Sequence, residues 1–332
     1  MKLIKLIGII LLVGIIVYFL GPEPSTPKYE PGLPSVPSEL SQLEKYISDR
    51  EALHKLKPEN EARIIWFNNS LKEKTEYAVV YIHGFSASQE EGDPVHTEFA
   101  RKFGCNLFLS RLADHGIDTT EPLLTVTPDR LWNSAKEAYA VGKQLGKKII
   151  LMSTSTGGTL ALKLAAEYPD IAGLILLSPN IAINDPNAWL LNNHWGLQIA
   201  RLIKGKYNHA RDTSAVYAKY WYPKYRMEGV VQLEELIETS MKEATFQKIK
   251  QPTLLLYYFK DDDHQDAVVK VSAMKRMFRE LGTPENLKRE VSIPEAGDHV
   301  IGSYIKSKDV KTVEQQCDKF AMDVLKLTPS QH

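Results

Sequence analysis

The stretch Ile149-Ile150-Leu151-Met152-Ser153-Thr154-Ser155-Thr156-Gly157-Gly158 carries an apolar segment into a turn of small residues. It then passes directly into the helix-patterned Leu160, Leu162, Leu164 and Ala165. A strand-turn-helix of this kind presents one side chain at a sharp apex, where strained backbone angles require small neighbours. Ser155 stands at that apex. A serine hydroxyl is a poor nucleophile at neutral pH, so chemistry there needs a base to take its proton and a carboxylate to orient the base. The chain offers both. His299 lies in Gly297-Asp298-His299, and Asp261, Asp262, Asp263 and Asp266 crowd one short segment. For the pentapeptide on its own, a Ser/Thr-rich cap before an ordinary helix is the plain alternative.

The elements that must position these residues follow from pattern. Residues 77–82 (YAVVYI) are a continuous apolar run ending just before His83-Gly84, which suits a buried parallel strand. Residues 62–67 are β-rich, and Leu40, Leu43 and Ile47 fit one helix face. The spacing predicts helix over 94–103, strand over 106–109, helix over 128–145 and strand over 148–152. Helix over 157–168 and strand over 171–177 follow. Later come strand over 253–259, helix over 267–281, strand over 288–293 and a closing helix over 310–327. Such alternation argues a parallel sheet covered on both faces. The four aspartates follow the 253–259 strand, and His299 follows the 288–293 strand. Residues 180–248 break the rhythm and are rich in Trp and Tyr, with Val230, Leu233, Leu236, Ile237 and Met241 marking one amphipathic helix. So long a segment without structure is not expected, and it reads as a small helical cap over the C-terminal edge of the sheet.

With these residues in place, the chain resembles the α/β-hydrolases that carry a G-x-S-x-G nucleophile elbow. It resembles most closely their cap-bearing monoacylglycerol-lipase-like and carboxylesterase-like branch, over roughly residues 60–328. Ser153 departs from the motif by replacing its first glycine. The resemblance implies an α/β class, the α/β-hydrolase fold: a mostly parallel central sheet, helices on both faces and a helical cap insertion. It implies Ser155 as nucleophile and His299 as general base, in the chain order Ser…Asp…His. It implies an oxyanion hole from the backbone N–H groups of Phe85, which follows His83-Gly84, and of Thr156. For the acid, counting from the preceding strand favours Asp261. Counting back from the next helix favours Asp266, whose Asp266-Ala267-Val268-Val269 matches the family's D-x-V-V entry; Asp266 leads and Asp261 stays open. The activity so implied is hydrolysis of a carboxylic ester through an acyl-enzyme, esterase- or lipase-like, on a small acyl ester or lipid-like substrate. A peptidase or amidase of the same fold and a catalytically silent tethered binding protein are the alternatives. No cofactor and no metal are expected, although Asp261-Asp262-Asp263-His264 could be read as a cation site. His83 and His115 read as turn-shaping residues and His96 as one that could line the pocket. Glu90, Glu91 and Asp93 read as the negative start of a helix rather than as catalytic acids.

The 332 residues suit one large α/β domain with an insertion, and 43% hydrophobic and 25% charged residues are ordinary for a globular chain. Lys+Arg and Asp+Glu both number 41, so nothing favours a nucleic-acid partner. Two distant cysteines, Cys105 and Cys317, read as buried free thiols. At the N-terminus, Lys2 and Lys5 precede a segment from Leu6 to Leu20 without charge. Residues 1–20 therefore predict an uncleaved single-pass transmembrane anchor, N-terminus cytoplasmic and hydrolase domain periplasmic or extracellular; a cleaved signal is the rival. Pro22, Pro24, Pro27, Pro31, Pro34 and Pro37 predict a stiff spacer over 21–37. The hydrolase domain is then expected over 38–328, with the cap at about 180–248.

Overall fold

Apolar runs become the strands of one twisted sheet in the computed structural model, which describes residues 2–330. In chain order, α1 (Lys2–Phe19) and α2 (Leu40–Glu51) precede β1 (Arg63–Ile65) and β2 (Thr75–Ile82). Then come α3 (Val95–Lys102), β3 (Asn106–Leu109), α4 (Pro128–Leu145), β4 (Gly146–Thr154), α5 (Thr156–Glu167) and β5 (Gly173–Leu177). An insertion follows, with α6 (Gly196–Lys204), β6 (Tyr207–His209), α7 (Ala215–Tyr220), β7 (Lys224–Arg226), α8 (Met227–Ser240) and α9 (Glu243–Phe246). The chain returns through β8 (Thr253–Tyr257), α10 (Val271–Glu280), β9 (Lys288–Ser292) and α11 (Val310–Asp323).

The seven-stranded sheet has the order β1-β3-β2-β4-β5-β8-β9. Only β1 runs antiparallel to its neighbour; every other pairing is parallel. Central strands are apolar without alternation because both sheet faces are covered. Leu151, Leu174 and Leu255 face the core shared with α4, α5 and α8, while Ile150, Ile175 and Leu254 face the core shared with α3 and α11. Cys105 and Cys317 lie in the second core as free buried thiols. The chain crosses from β3, beside one edge of β2, to β4 on the other, so the order reverses between β2 and β4. In open α/β sheets the crevice beyond the carboxyl ends of such a pair is where ligands bind.

The insertion departs in one respect from an all-helical cap. β6 and β7 pair antiparallel inside it, Tyr207 opposite Arg226. The carboxylates of Glu121 and Glu228 hold Arg226 at this pair. Tyr220, Trp221 and Tyr222 are buried, whereas Trp189 is exposed.

The expected transmembrane anchor is corrected. Helix α1 spans 18 residues, about 27 Å at 1.5 Å per residue, short of the ~30 Å hydrocarbon core. Among the described residues no helix is long and apolar enough to cross a membrane, so the single-pass topology falls. Met1 lies outside the described residues. The C-terminal turn of α1 instead meets the cap. Trp195 Nε1 donates to the Val17 carbonyl at 3.0 Å, and the Trp195 backbone N–H donates to the Pro22 carbonyl at 2.9 Å. The proline-rich stretch is extended, as its composition dictates, but it lies along the body rather than standing free. Asp129, in the first turn of α4, accepts the backbone N–H groups of Lys28 and Tyr29 at 3.0 and 2.7 Å. Lys136 Nζ donates to the carbonyls of Glu30 and Gly32 at 2.6 and 2.9 Å. Backbone groups that proline cannot pair within a helix or sheet are thus satisfied by side chains of α4.

Replacing Asp129 removes the acceptor for two backbone donors. Asp129→Ala is expected to release the strap by about 1–2 kcal/mol. Limited proteolysis within residues 22–36 should then speed up roughly fivefold to thirtyfold, with thermal unfolding of the body little changed. An unchanged cleavage rate would show that the strap is held by other contacts.

Candidate active site

Ser155 sits between the last residue of β4 and the first of α5, at φ 53° and ψ −119°. That positive φ is a costly conformation for a residue with a side chain, and it persists only where surroundings fix it. Here the Ser155 N–H donates to the Leu177 carbonyl at 3.1 Å, and its carbonyl accepts from Gly158 and Asn180 at 2.8 and 2.9 Å. Gly157 is required by close approach: a Cβ there would lie 1.9 Å from the Ile82 carbonyl oxygen. The helix therefore begins pressed against the end of β2. Ser153, where the family motif has glycine, is fully buried, and its hydroxyl has no hydrogen-bond partner among the described residues.

The loop after β2 is clamped by its own histidine. Leu112 N–H donates to His83 Nε2 at 3.0 Å, so Nδ1 carries the proton and donates to the Gly84 carbonyl at 2.9 Å. Burial holds His83 well below its ordinary pKa, so the ring stays neutral. Gly84 passes against the apex: a Cβ on it would stand 2.9 Å from Ser155 Cβ. Among the described residues no hydrogen bond occupies the backbone N–H of Phe85 or of Thr156. The Phe85 ring packs edge-on against His115 and Tyr225, at 5.5 and 5.7 Å between centroids.

His299, on the loop between β9 and α11, meets Asp266, on the loop between β8 and α10. His299 Nδ1 lies 2.6 Å from Asp266 Oδ2. A carboxylate only accepts, so Nδ1 donates and Nε2 is left available. Asp266 is fully buried, and its other oxygen accepts from the N–H groups of Val268 and Val269 at 2.8 and 3.0 Å. Burial pushes His299 down, but the Asp266 charge and hydrogen bond, then Glu91 and Asp298, push it up; the net is above the ordinary value. Asp261 goes elsewhere. It is exposed and accepts from His264 N and Nδ1, both at 2.8 Å. Among the described residues no group of three or more His, Cys, Asp or Glu could hold a metal ion, the 261–264 run included.

His96 does not line the site. It is buried against Tyr81, with Nε2 bonded to the Gln89 carbonyl at 2.9 Å. His115 is buried beside His83, its Nδ1 on the Ala113 carbonyl at 2.8 Å, as a turn-shaping residue would be. The residue that the sequence reading missed is Glu91. It is buried, not part of a solvated helix start, and its carboxylate accepts the Gly84 N–H. Nothing local signals this; only the tertiary path of the short turn from Gln89 to Gly92 brings it inward. A cavity of about 670 Å³ lies elsewhere, between the strap, α2 and α4, and includes none of Ser155, Asp266 or His299. Its charges are paired, Arg111 with Glu51 and Arg130 with Asp114.

Against known proteins, the family model described as serine aminopeptidase, S33 (Hydrolase_4) matches residues 74–296. A thermostable monoacylglycerol lipase of Bacillus sp. (strain H-257) is 27% identical over 186 residues, 56% of this chain and 70% of that protein. A structure of the metagenome-derived lipolytic enzymes LipS and LipT aligns at TM-score 0.65 and 17% identity, covering 80% of this chain and 98% of that one. A monoacylglycerol lipase from Paleococcus ferrophilus aligns at TM-score 0.57 and 14% identity, covering 79% and 98%. The structural likenesses are of fold, and they match the mostly parallel sheet with its surrounding helices.

Two substitutions at the turn should have opposite signs. Gly157→Ala is expected to destabilise by about 3 kcal/mol, because its Cβ collides with backbone. Ser153→Ala removes an unpaired buried hydroxyl and should stabilise by up to about 1 kcal/mol. Urea unfolding of both variants checks this; a destabilised Ser153→Ala would mean the hydroxyl has a partner. The His299 imidazole, followed by NMR, should titrate above its ordinary value in the native protein. In Asp266→Asn, which removes the charge that raises it, titration should move to lower pH.

Proposed function

The chain belongs to the serine aminopeptidase S33 (Hydrolase_4) family of α/β-hydrolases, and on that premise we propose that it is a serine hydrolase cleaving a carboxylic ester through an acyl-enzyme on Ser155. The observation that carries the reading is the His299–Asp266 pair, 2.6 Å apart, on the same sheet edge as the strained apex of Ser155. In the proposed reaction, His299 Nε2 takes the Ser155 hydroxyl proton as Oγ attacks the ester carbonyl. Asp266 holds the tautomer and stabilises the imidazolium without taking the proton. The carbonyl oxygen becomes an oxyanion that accepts from the Phe85 and Thr156 amides, which have no other acceptor among the described residues. The tetrahedral intermediate collapses, the C–O bond to the alcohol breaks and His299 returns the proton to the leaving oxygen. Water then attacks the acyl-enzyme with the same base, releasing acid and free Ser155.

The aromatic surround supports an apolar acyl group. Phe85 meets Tyr225, and Tyr217 stacks on Trp221 at 5.1 Å from the cap side. The monoacylglycerol lipase likeness points the same way. The family's description favours a second reading, cleavage of aminoacyl amides. An aminopeptidase needs a carboxylate free to grip the substrate ammonium. Glu91, against the Ser155 turn, is already engaged by the Gly84 amide, so the ester reading is preferred.

Purified protein should label with a fluorophosphonate, and Ser155→Ala should abolish labelling and lower kcat on acyl esters by at least about 10³-fold. Across a panel of monoacylglycerols and graded acyl esters against aminoacyl amides, the highest kcat/KM should fall on esters. Amide turnover above ester turnover would assign the peptidase reading, and a folded wild type that does not label would remove both.

A further inference from the structure

Glu91 is a buried carboxylate that the reaction above does not use. Its side chain reaches the face of Gly84 that meets Ser155: a Cβ on Gly84 would lie 2.8 Å from Glu91 Oε2, 2.9 Å from Oε1 and 2.9 Å from Ser155 Cβ. The carboxylate and the apex thus close on the same side of Gly84, whose N–H donates to Glu91 Oε2. The next peptide unit is fixed from its other side, because the Gly84 carbonyl accepts from His83 Nδ1 at 2.9 Å and from Ala87 N at 3.4 Å. Peptide planarity then fixes the direction of the Phe85 N–H, which shares that unit and points away from the Gly84 oxygen. Hydrogen bonds at both the N–H and the carbonyl of Gly84 therefore aim one amide.

The charged and titratable surroundings of Glu91 come from three other elements. From the β9–α11 loop come His299 and Asp298, the latter 3.4 Å from Lys306. From the cap come Trp221, lying against the carboxylate as a donor, and Tyr217; from β2 comes Tyr81. His299 is the cation-forming group among them whose charge appears during the reaction. Burial pushes the Glu91 carboxyl up, with the Gly84 amide, His299 and Trp221 pulling it back, to about 7. Burying an ionisable group at this cost without function is disfavoured, since an apolar side chain would pack there more cheaply.

We propose that Glu91 is a positioning residue of this site, whose carboxylate holds the Gly84 peptide so that the Phe85 N–H faces the oxyanion and whose charge supports the His299 imidazolium. The proposal rests on Ser155 being the nucleophile. When His299 Nε2 takes the Ser155 proton, the new positive charge lies in the field of Asp266 in contact and of Glu91 and Asp298 beyond it. Below the Glu91 titration Glu91 is neutral, His299 becomes less basic and that support is lost. The acid limb of the rate profile therefore carries two ionisations, one from each group.

Glu91→Gln and Glu91→Ala separate the two roles. Gln retains an acceptor for Gly84 but no charge. Its plateau kcat should fall about tenfold with KM little changed, and its acid limb should move to lower pH and follow a single ionisation. Ala loses the acceptor as well, and kcat should fall about 100-fold, the scale of one misdirected oxyanion donor. Thermal melting identifies folded variants, and if Glu91→Ala does not fold, Glu91→Gln decides alone. Fluorophosphonate labelling against pH, with NMR titration of His299 in Glu91→Gln, reads the same shift without substrate. A folded Glu91→Gln whose acid limb, labelling profile and His299 titration coincide with wild type overturns the proposal, as does a folded Glu91→Ala with wild-type kcat. Failure of the wild type itself to label overturns the Ser155 reading instead, so the two failures are distinct.

Discussion

A close approach of helix to strand sets the rest of the site: the first turn of α5 against the end of β2, at Gly157 and the Ile82 carbonyl, where a Cβ would have only 1.9 Å. A helix can come this near a strand only through glycine. Once it does, the residue before it cannot keep ordinary backbone angles, and Ser155 is driven to φ 53°. The same contact brings the free amide at the start of α5 beside the loop that leaves β2. The Ser155 apex and the two backbone N–H groups left unoccupied among the described residues, those of Phe85 and Thr156, thus follow from one packing constraint at the reversal of strand order. His299 and Asp266 reach the same edge because parallel strands β8 and β9 end there.

Charge is what the edge then manages. Asp266 is buried with both oxygens occupied, one by the Val268 and Val269 amides and the other by the imidazole. Lone buried carboxylates are costly, and Glu91 is less fully compensated. The difference matches the two positions: one carboxylate directly on His299, the other on the Gly84 N–H in the loop after β2. Trp221 of the insertion is buried and stacks with Tyr217 beside these groups, and burial of this kind strengthens charge interactions.

Strand and helix order, the 128–145 helix to the residue, and the sharp turn at Ser155 were legible because they depend on local apolar pattern and small-residue turns. The uncertainty between Asp261 and Asp266 had a structural cause. Between β8 and Asp266 the chain makes a self-contained loop, with Phe259 bridged to Gln265 and Lys260 N bonded to the His264 carbonyl at 2.9 Å. Those residues add to the count from the strand but not to the count from the helix, and the residue of the downstream register, Asp266, is the one that meets His299. Glu91 was illegible for the opposite reason. Its neighbours Glu90 and Asp93 remain at least partly exposed as their composition suggests, and one residue of three turns inward for tertiary reasons. The strap failed as a free spacer in the same way: prolines dictate extension, but only Asp129 and Lys136 dictate where the extended chain lies.

That strap also bears on how the cap is held. Residues 22–36 precede the segment that matches the family, 74–296, yet they contact both parts of the molecule. Near the end of α1, Trp195 and His194 of the insertion bind the Pro22 and Gly21 carbonyls at 2.9 Å each. Further along, the Tyr29 hydroxyl meets Thr239 of α8 at 2.6 Å while its backbone is held by Asp129 of α4. Lys163 of α5, the helix that starts just after Ser155, lies 4.1 Å from the Tyr29 ring centroid and 4.7 Å from that of Trp132. A chain segment tied to α4, α5 and α8 at once joins insertion and sheet by contacts that neither makes alone. Displacing the cap from the body means breaking these contacts as well as its own, so the geometry over Ser155 depends on residues far from it in sequence.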